Sequence, residues 1–409
     1  MGCKKVLNLS FRASLFCALL VAVAVVEAGP REQAKRIHDR IASVPADAAT
    51  LDAMAGFIAV GDYNKAAQRA LEHPSFYNVT LKNFVTPWTN EAQTLFAPLN
   101  DYTATVIGVV RDELDFRRIL YDDILYVGKN TLTLPAYANT SNAHYEAFDD
   151  RGLDLKSGLV RTTQSAVTGL PVAATAGVMT SRAAAKAFFI DGTNRAMFRF
   201  TFMNHLCNDM EQVKDVTRSP DRVRQDVSRS PGGDSRIYLN ACVGCHAGMD
   251  PMTQAFAYYN YDYNVEIDPD AANGKLVYNG VGTVDPKTGS RVQAKNLINA
   301  SNFKPGYVTA DDGWHNYWRH GPNARLGWDT QQLSLPASGT GAKSLGMELA
   351  NSEAFARCQV KKVFATVCFR EPGNSADRSI VDTITANFKG SNYNLKQVFS
   401  DTAVYCKGE

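Results

Sequence analysis

The chemistry in this chain concentrates in five consecutive residues, Cys242, Val243, Gly244, Cys245 and His246. Two thiols with two residues between them, followed at once by an imidazole, form C-x-x-C-H, the attachment pattern of c-type haem. The thiols can add across two porphyrin vinyl groups as thioethers. The spacer sets their separation on one helical turn, and His246 can then bind the iron as its proximal ligand. The pattern predicts one covalently attached haem c held by Cys242, Cys245 and His246, with Met249 packing on its edge. Two rival readings of paired thiols compete. A structural zinc site takes four Cys or His ligands in paired spacing, and the chain has no second C-x-x-C. A thioredoxin-like dithiol wants a strand before the motif and an α/β alternation around it. Residues 236–241, with Gly248 close behind the motif, read instead as one short helix ending near Gly248.

The N-terminal residues are consistent with haem attachment, which takes place outside the cytoplasm. Lys4, Lys5 and Arg12 precede an apolar run over residues 15–26, and Val26-Glu27-Ala28 places small residues where a signal peptidase reads. Residues 1–28 are therefore expected to be a secretory signal peptide, and the run is short for a bilayer span. No later stretch is long and apolar enough to cross a membrane. The protein is expected to be periplasmic or otherwise exported, with no transmembrane segment in the mature chain.

The sixth iron ligand would decide between an electron carrier and a catalyst, because a Met thioether raises the reduction potential. Met249 and Met252 follow His246 too closely to reach the opposite face of a haem. Met347, in Ser344-Leu345-Gly346-Met347, reads as part of a loop before the terminal helix and is the tentative distal ligand. Met179, His205, His315 and His320 are the other candidates. Trp314, Tyr317, Trp318 and Trp328, with Arg319 and Arg325, either line a haem or propionate pocket or simply pack a loop.

Composition excludes some classes. Removing residues 1–28 takes away Lys4, Lys5, Arg12 and Glu27 and leaves 40 basic against 40 acidic residues. A neutral chain gives no reason to expect nucleic acid as a partner. No β-α-β rhythm or Gly-rich dinucleotide loop is present. The periodicity instead predicts a mainly α protein, an irregular helical haem domain with long loops and a small helical module at its end. Residues 29–120 form an N-terminal helical region, with amphipathic stretches over 34–41, 51–60 and 102–121. Residues 121–343 form the haem-binding region. Within it a helical pattern runs over 181–210, residues 218–234 read as a charged surface loop, and 264–343 as short strands and long loops. Residues 344–409 form the C-terminal module: one helix capped by Asn351 or Ser352 and stopped at Pro372-Gly373, then helices over about 377–388 and 394–403.

Four further cysteines, Cys207, Cys358, Cys368 and Cys406, fit two disulfides in an exported chain. Cys358 and Cys368 lie on one predicted helix, about 15 Å apart along its axis. A disulfide needs Cα atoms within roughly 7 Å, so these two cannot pair. Cys368 lies on the buried stripe where Cys406 can fold back, which leaves Cys358 for Cys207.

The blocks Thr180-Ser181-Arg182, Gly192-Thr193-Asn194-Arg195, Cys242 through Pro251 and Tyr261-Asp262 carry a resemblance. With Ser352, Phe355 and Cys358 and the Phe388, Val398, Phe399 tail, they resemble the planctomycete-type cytochrome c-like proteins. These are secreted chains of consecutive domains of unknown function around C-x-x-C-H-x-x-M-D-P. The resemblance spans roughly residues 100–406. It implies a cytochrome c-like haem protein and hands over no reaction. Such proteins often carry a histidine where this chain has Arg236.

Together these readings predict a secreted monohaem c-type cytochrome passing electrons to a redox partner protein. The competing class is a peroxidase- or oxidase-like haem enzyme with an open distal site, which needs an acid–base group such as His205, His315 or Arg319. The third is a haem-bearing assembly subunit of a redox complex.

Overall fold

The computed structural model describes residues 28–329 and 333–408; Ala28 apart, the expected signal peptide lies outside the described residues. Among these, sixteen α-helical segments alternate with short 3-10 and π turns, and the strands form three two-stranded antiparallel sheets. The architecture is mainly α. No described helix is long and apolar enough to cross a membrane.

The N-terminal helices Pro30–Ala42 and Ala48–Ala59 follow the expected amphipathic stretches, and a third helix, Tyr63–Leu71, comes after them. Asp47 and Asp62 cap the second and third by accepting from Thr50 N and Lys65 N, at 2.7 and 3.0 Å, which satisfies amides that the first helical turn leaves free. Ala34, Ile37 and Ile41 turn inward. They face the C-terminal module, and Arg40 donates to the Cys406 carbonyl at 2.7 Å.

Two long helical patterns are broken. The stretch over 102–121 divides into a helix Asp101–Arg111 and a 3-10 turn Phe116–Leu120. Glu113 takes a positive φ of 52° at the break, and the Asp115 carboxylate then accepts from Arg117 N at 3.0 Å, a local capping bond that competes with helix continuation. The pattern over 181–210 becomes the helices Arg182–Phe188 and Arg195–Leu206. Between them Gly192 and Asn194 have φ of 62° and 63°, the left-handed region that these two residue types tolerate.

The motif helix also departs from expectation. After a π turn Tyr238–Cys242, it runs Val243–Thr253, straight through Gly248. Gly248 does not stop the helix; it admits a neighbour. A side chain there would run into the indole of Trp318, which is fully buried. Gly248→Val is therefore expected to destabilise the fold by overpacking, by about 1–3 kcal/mol. Urea unfolding of the two proteins measures this, and an unchanged midpoint would show that the Trp318 side of the helix yields freely.

The segment over 218–234 is not a surface loop in its middle. Val223 and Arg224 are buried, and the backbone there pairs with Tyr307, whose N donates to Val223 O at 2.8 Å and whose O accepts from Gln225 N at 3.2 Å. Residues 264–343 do consist of short strands and loops, including Lys275–Tyr278, Gly313–His315 and Ser338–Thr340.

The C-terminal module has helices Glu353–Cys368, Ser375–Gly390 and Leu395–Tyr405. Ser352 is the cap of the first, its hydroxyl accepting from Phe355 N at 3.1 Å; that helix ends at Phe369 in the left-handed region, before Pro372. Ahead of it, residues expected as a loop around Met347 form another helix, Gly341–Ala350. Ala342, Leu345 and Leu349 are buried there at helical spacing, an apolar stripe too short to stand out among the neighbouring glycines. Both disulfides are as derived: Cys207–Cys358 with Cα atoms 5.3 Å apart, and Cys368–Cys406 at 5.6 Å.

Candidate functional site

Cys242 closes the π turn, and Cys245 and His246 open the helix that follows. Both thiols are unpaired and half-buried. Burial pushes the Cys245 thiol up from its ordinary value. Around them the chain leaves aliphatic side chains in solvent: Ile237 at 46%, Leu239 at 54% and Val216 at 56% exposure. Val216 lies against Gly244, between the two cysteines. Exposed aliphatics beside two free thiols are the surroundings that a flat apolar group would cover.

His246 is held by its own helix. Its Nδ1 lies 3.1 Å from Asp250 Oδ1, one turn later on the same face. The Asp250 carboxylate is fully buried. It accepts both arms of Arg195, Nε to Oδ1 at 2.7 Å and Nη2 to Oδ2 at 2.8 Å, and the Arg224 backbone N–H at 3.0 Å. Burial alone would raise the pKa of Asp250, but the Arg195 guanidinium and His246 outweigh it and hold the carboxyl well below the usual range. Arg195 reaches on to Asp226, Nη2 to Oδ1 at 2.8 Å. Arg224 is buried beside them, its guanidinium donating to Thr193 O at 2.9 Å and Asn296 Oδ1 at 3.0 Å; burial brings it down to about 10. Two cations and two anions thus form a neutral, largely buried set behind the histidine, each oxygen of Asp250 already engaged. No protein group among the described residues bonds His246 Nε2.

The parts of this set come from three places. Asp250 follows the histidine on the motif helix, Arg195 is the first residue of the helix Arg195–Leu206, turned inward by the Gly192–Asn194 break, and Arg224 and Asp226 lie on the pinned loop. Only the first was accessible to sequence reasoning, as a His and an Asp four apart, and ending the helix at Gly248 hid it.

The other expected site residues fall elsewhere. Met249 is buried in the main core, on the Cys245 face of the motif helix one turn on. Met252 is fully buried. Met179 is buried beside Gly346. His205 is a core residue, its Nε2 bonded to the Tyr102 hydroxyl at 2.8 Å, and desolvation drives its basicity far down. His315 is half-buried and leans on Tyr317, with ring centres 6.1 Å apart; His320 is exposed.

Met347 is part of a helix and 37% exposed. The next residue, Glu348, accepts from Asn316 at 2.6 Å and Arg319 Nε at 2.8 Å. Those two flank Trp318, which covers Gly248. Gly248 is two residues past His246, about 200° around the helix at 3.6 residues per turn. The helix of Met347 is therefore fastened through Glu348 to the residues on either side of Trp318, and the loop expected around Met347 is corrected to a helix.

The tryptophans pack. Trp314 donates to Ser344 Oγ at 2.7 Å, Trp328 to the Trp318 carbonyl at 2.9 Å, and Trp314 and Trp318 are buried. Arg319 pairs with Glu348, and Arg325 donates to Gln212 O at 2.8 Å. Among the described residues no three His, Cys, Asp or Glu side chains gather as a metal cage requires.

No family model, no curated protein and no solved structure matches this chain.

Proposed function

We propose that this chain is an exported monohaem c-type cytochrome that carries electrons to a redox partner protein. The observation that carries the reading is the set of Cys242, at the end of the π turn, with Cys245 and His246 in the first turn of the helix that follows. Both thiols are unpaired, the imidazole is anchored at Nδ1, and aliphatic side chains are left uncovered beside them. These residues fit a covalently attached haem: two thiols to form thioethers, one nitrogen to meet the iron, and Met249 beneath the Cys245 edge. When bound, the haem supplies a one-electron couple. The protein anchors the porphyrin, orients the imidazole, and surrounds the thiols with apolar side chains that keep water from one edge.

A haem enzyme with an exchangeable sixth position is the second reading, favoured by one observation. Met179, Met252 and His205 are buried in the core, and Met347 belongs to a helix fastened through Glu348 rather than to a flexible loop. Absorption spectra of purified oxidised and reduced protein, with and without carbon monoxide, test both readings. Reduced protein is expected to show the narrow bands of a c-type haem. Met347→Ala is expected to leave the oxidised spectrum unchanged. A weak sulfur-to-iron band in the wild type that vanishes in Met347→Ala would restore Met347 as the distal ligand. Ready binding of carbon monoxide would favour the enzyme over the carrier, and absence of any haem spectrum would end both.

A further inference from the structure

The arrangement behind His246 is more than a haem anchor requires. An anchor needs two thiols and one imidazole nitrogen. Here a fully buried carboxylate is placed one helical turn from the histidine and fixed by three donors from two other parts of the chain. We infer that Asp250 is the positioning residue of the iron centre, holding the His246 ring by its Nδ1–H and, as a buried anion behind the ligand, favouring the oxidised iron. This inference rests on the haem reading above.

An ionised carboxylate only accepts, so the proton between the two groups belongs to Nδ1 of His246, and Nε2 keeps its lone pair. That is the tautomer a metal ligand needs. A carboxylate behind a ligating histidine fixes the ring plane and makes the nitrogen a stronger donor. A more basic ligand and a nearby negative charge both stabilise the higher charge of ferric over ferrous iron, which lowers the reduction potential.

The rest of the set serves the carboxylate. Arg195 grips it with a two-pronged guanidinium contact, the geometry that best fixes a carboxylate plane. The Arg224 amide takes the remaining approach to Oδ2. Asp250 therefore cannot rotate away from His246. Arg195 is itself shared with Asp226, 2.8 Å from it, so its positive charge is not spent on Asp250 alone. Buried ion pairs are weak contributors to net stability when compared with apolar packing of the same volume. Stability alone is thus a poor reason for four charges at this place.

The test uses the full exported protein and three variants. Asp250→Asn keeps the shape and an acceptor but removes the charge. Asp250→Glu keeps the charge. Asp226→Asn removes one negative charge from the far side of Arg195 without touching His246. Intact mass reports covalent haem in each, and a spectroscopic redox titration gives the midpoint potential. Asp250→Asn is expected to retain haem and to show a clearly raised midpoint. Asp250→Glu should return toward the wild-type value, and Asp226→Asn should shift the midpoint by less than Asp250→Asn. A haem-loaded Asp250→Asn protein with an unchanged or lowered midpoint would overturn the inference, as would an equal shift in Asp226→Asn. Should Asp250→Asn yield no haem-loaded protein, Arg195→Lys takes its place. It loosens the grip on the carboxylate while keeping the charge, and an unmoved midpoint there would overturn the inference too. Wild-type protein without covalent haem would overturn the haem reading itself, a separate result.

Discussion

Replacing both thiols, as Cys242→Ala with Cys245→Ala, is expected to abolish haem that survives denaturation. Wild-type protein should carry one haem's worth of additional mass and stain for haem on a denaturing gel, and the double variant should do neither. The effect is large because of bond type. Two thioethers persist when the fold is lost, whereas a single iron–imidazole bond from His246 and apolar contacts to Leu239 and Val216 vanish with it. Asp250 still holds His246 in the variant, so the folded double variant can bind haem reversibly. That residual binding should disappear in denaturant. Wild-type protein that contains zinc in stoichiometric amount and no haem would refute the assignment. So would an intramolecular disulfide between Cys242 and Cys245 in every molecule.

The second large effect concerns Cys207–Cys358, which closes a loop across 151 residues of sequence. Cross-linking so distant a pair removes much freedom from the unfolded chain, and its loss through Cys207→Ala with Cys358→Ala is expected to cost about 4–5 kcal/mol. Loss of Cys368–Cys406, which spans 38 residues, should cost about 1 kcal/mol less on the same argument. Urea unfolding of the two double variants gives the comparison. The longer link also fastens the end of the helix that begins with Arg195 to the helix Glu353–Cys368, so its loss should loosen the grip on Asp250 as well. Equal stabilities for wild type and the Cys207/Cys358 variant would mean that the apolar core alone sets the unfolded-state balance.

What the sequence disclosed and what it withheld follow one physical division. Terminal helices with a cap, an apolar stripe and a stop were legible because each signal is local, as at Ser352, Cys368 and Pro372. The disulfides were legible because a separation of ten positions along one helix forbids pairing of Cys358 with Cys368 by length alone. The misreadings come from places where a distant partner decides. Gly248 looks like a terminator until Trp318 is placed against it. Arg224 looks like one charge in a polar loop until Tyr307 pins the backbone and Asp250 accepts its amide. The break in residues 102–121 depends on Asp115 capping a new turn in competition with the helix. The segment around Met347 was misread as a loop for a related reason. Its helix is short and glycine-flanked, and what fastens it is Glu348 bonded to Asn316 and Arg319, a contact that no spacing along the chain reveals. The candidate site divides in the same way. Cys242, Cys245 and His246 are contiguous and announce themselves, while the ionic set behind them is assembled from three separated segments.

The disulfide topology has a bearing on how such a chain matures. Cys207 precedes the C-x-x-C-H motif and Cys358 follows it, so on a chain threaded outward from its N-terminus the first thiols to join Cys207 are Cys242 and Cys245, the wrong ones. The correct partner, Cys358, emerges only after them. Oxidation at that stage would trap a mispaired intermediate, and the motif thiols would be consumed before they could react with a porphyrin. On the proposed function, early capture of those two thiols by haem would remove both competitors at once and leave Cys207 waiting for Cys358. Cofactor attachment would then act as a proofreading step for disulfide formation, and cells unable to attach haem should accumulate scrambled cysteine pairings in addition to a colourless protein.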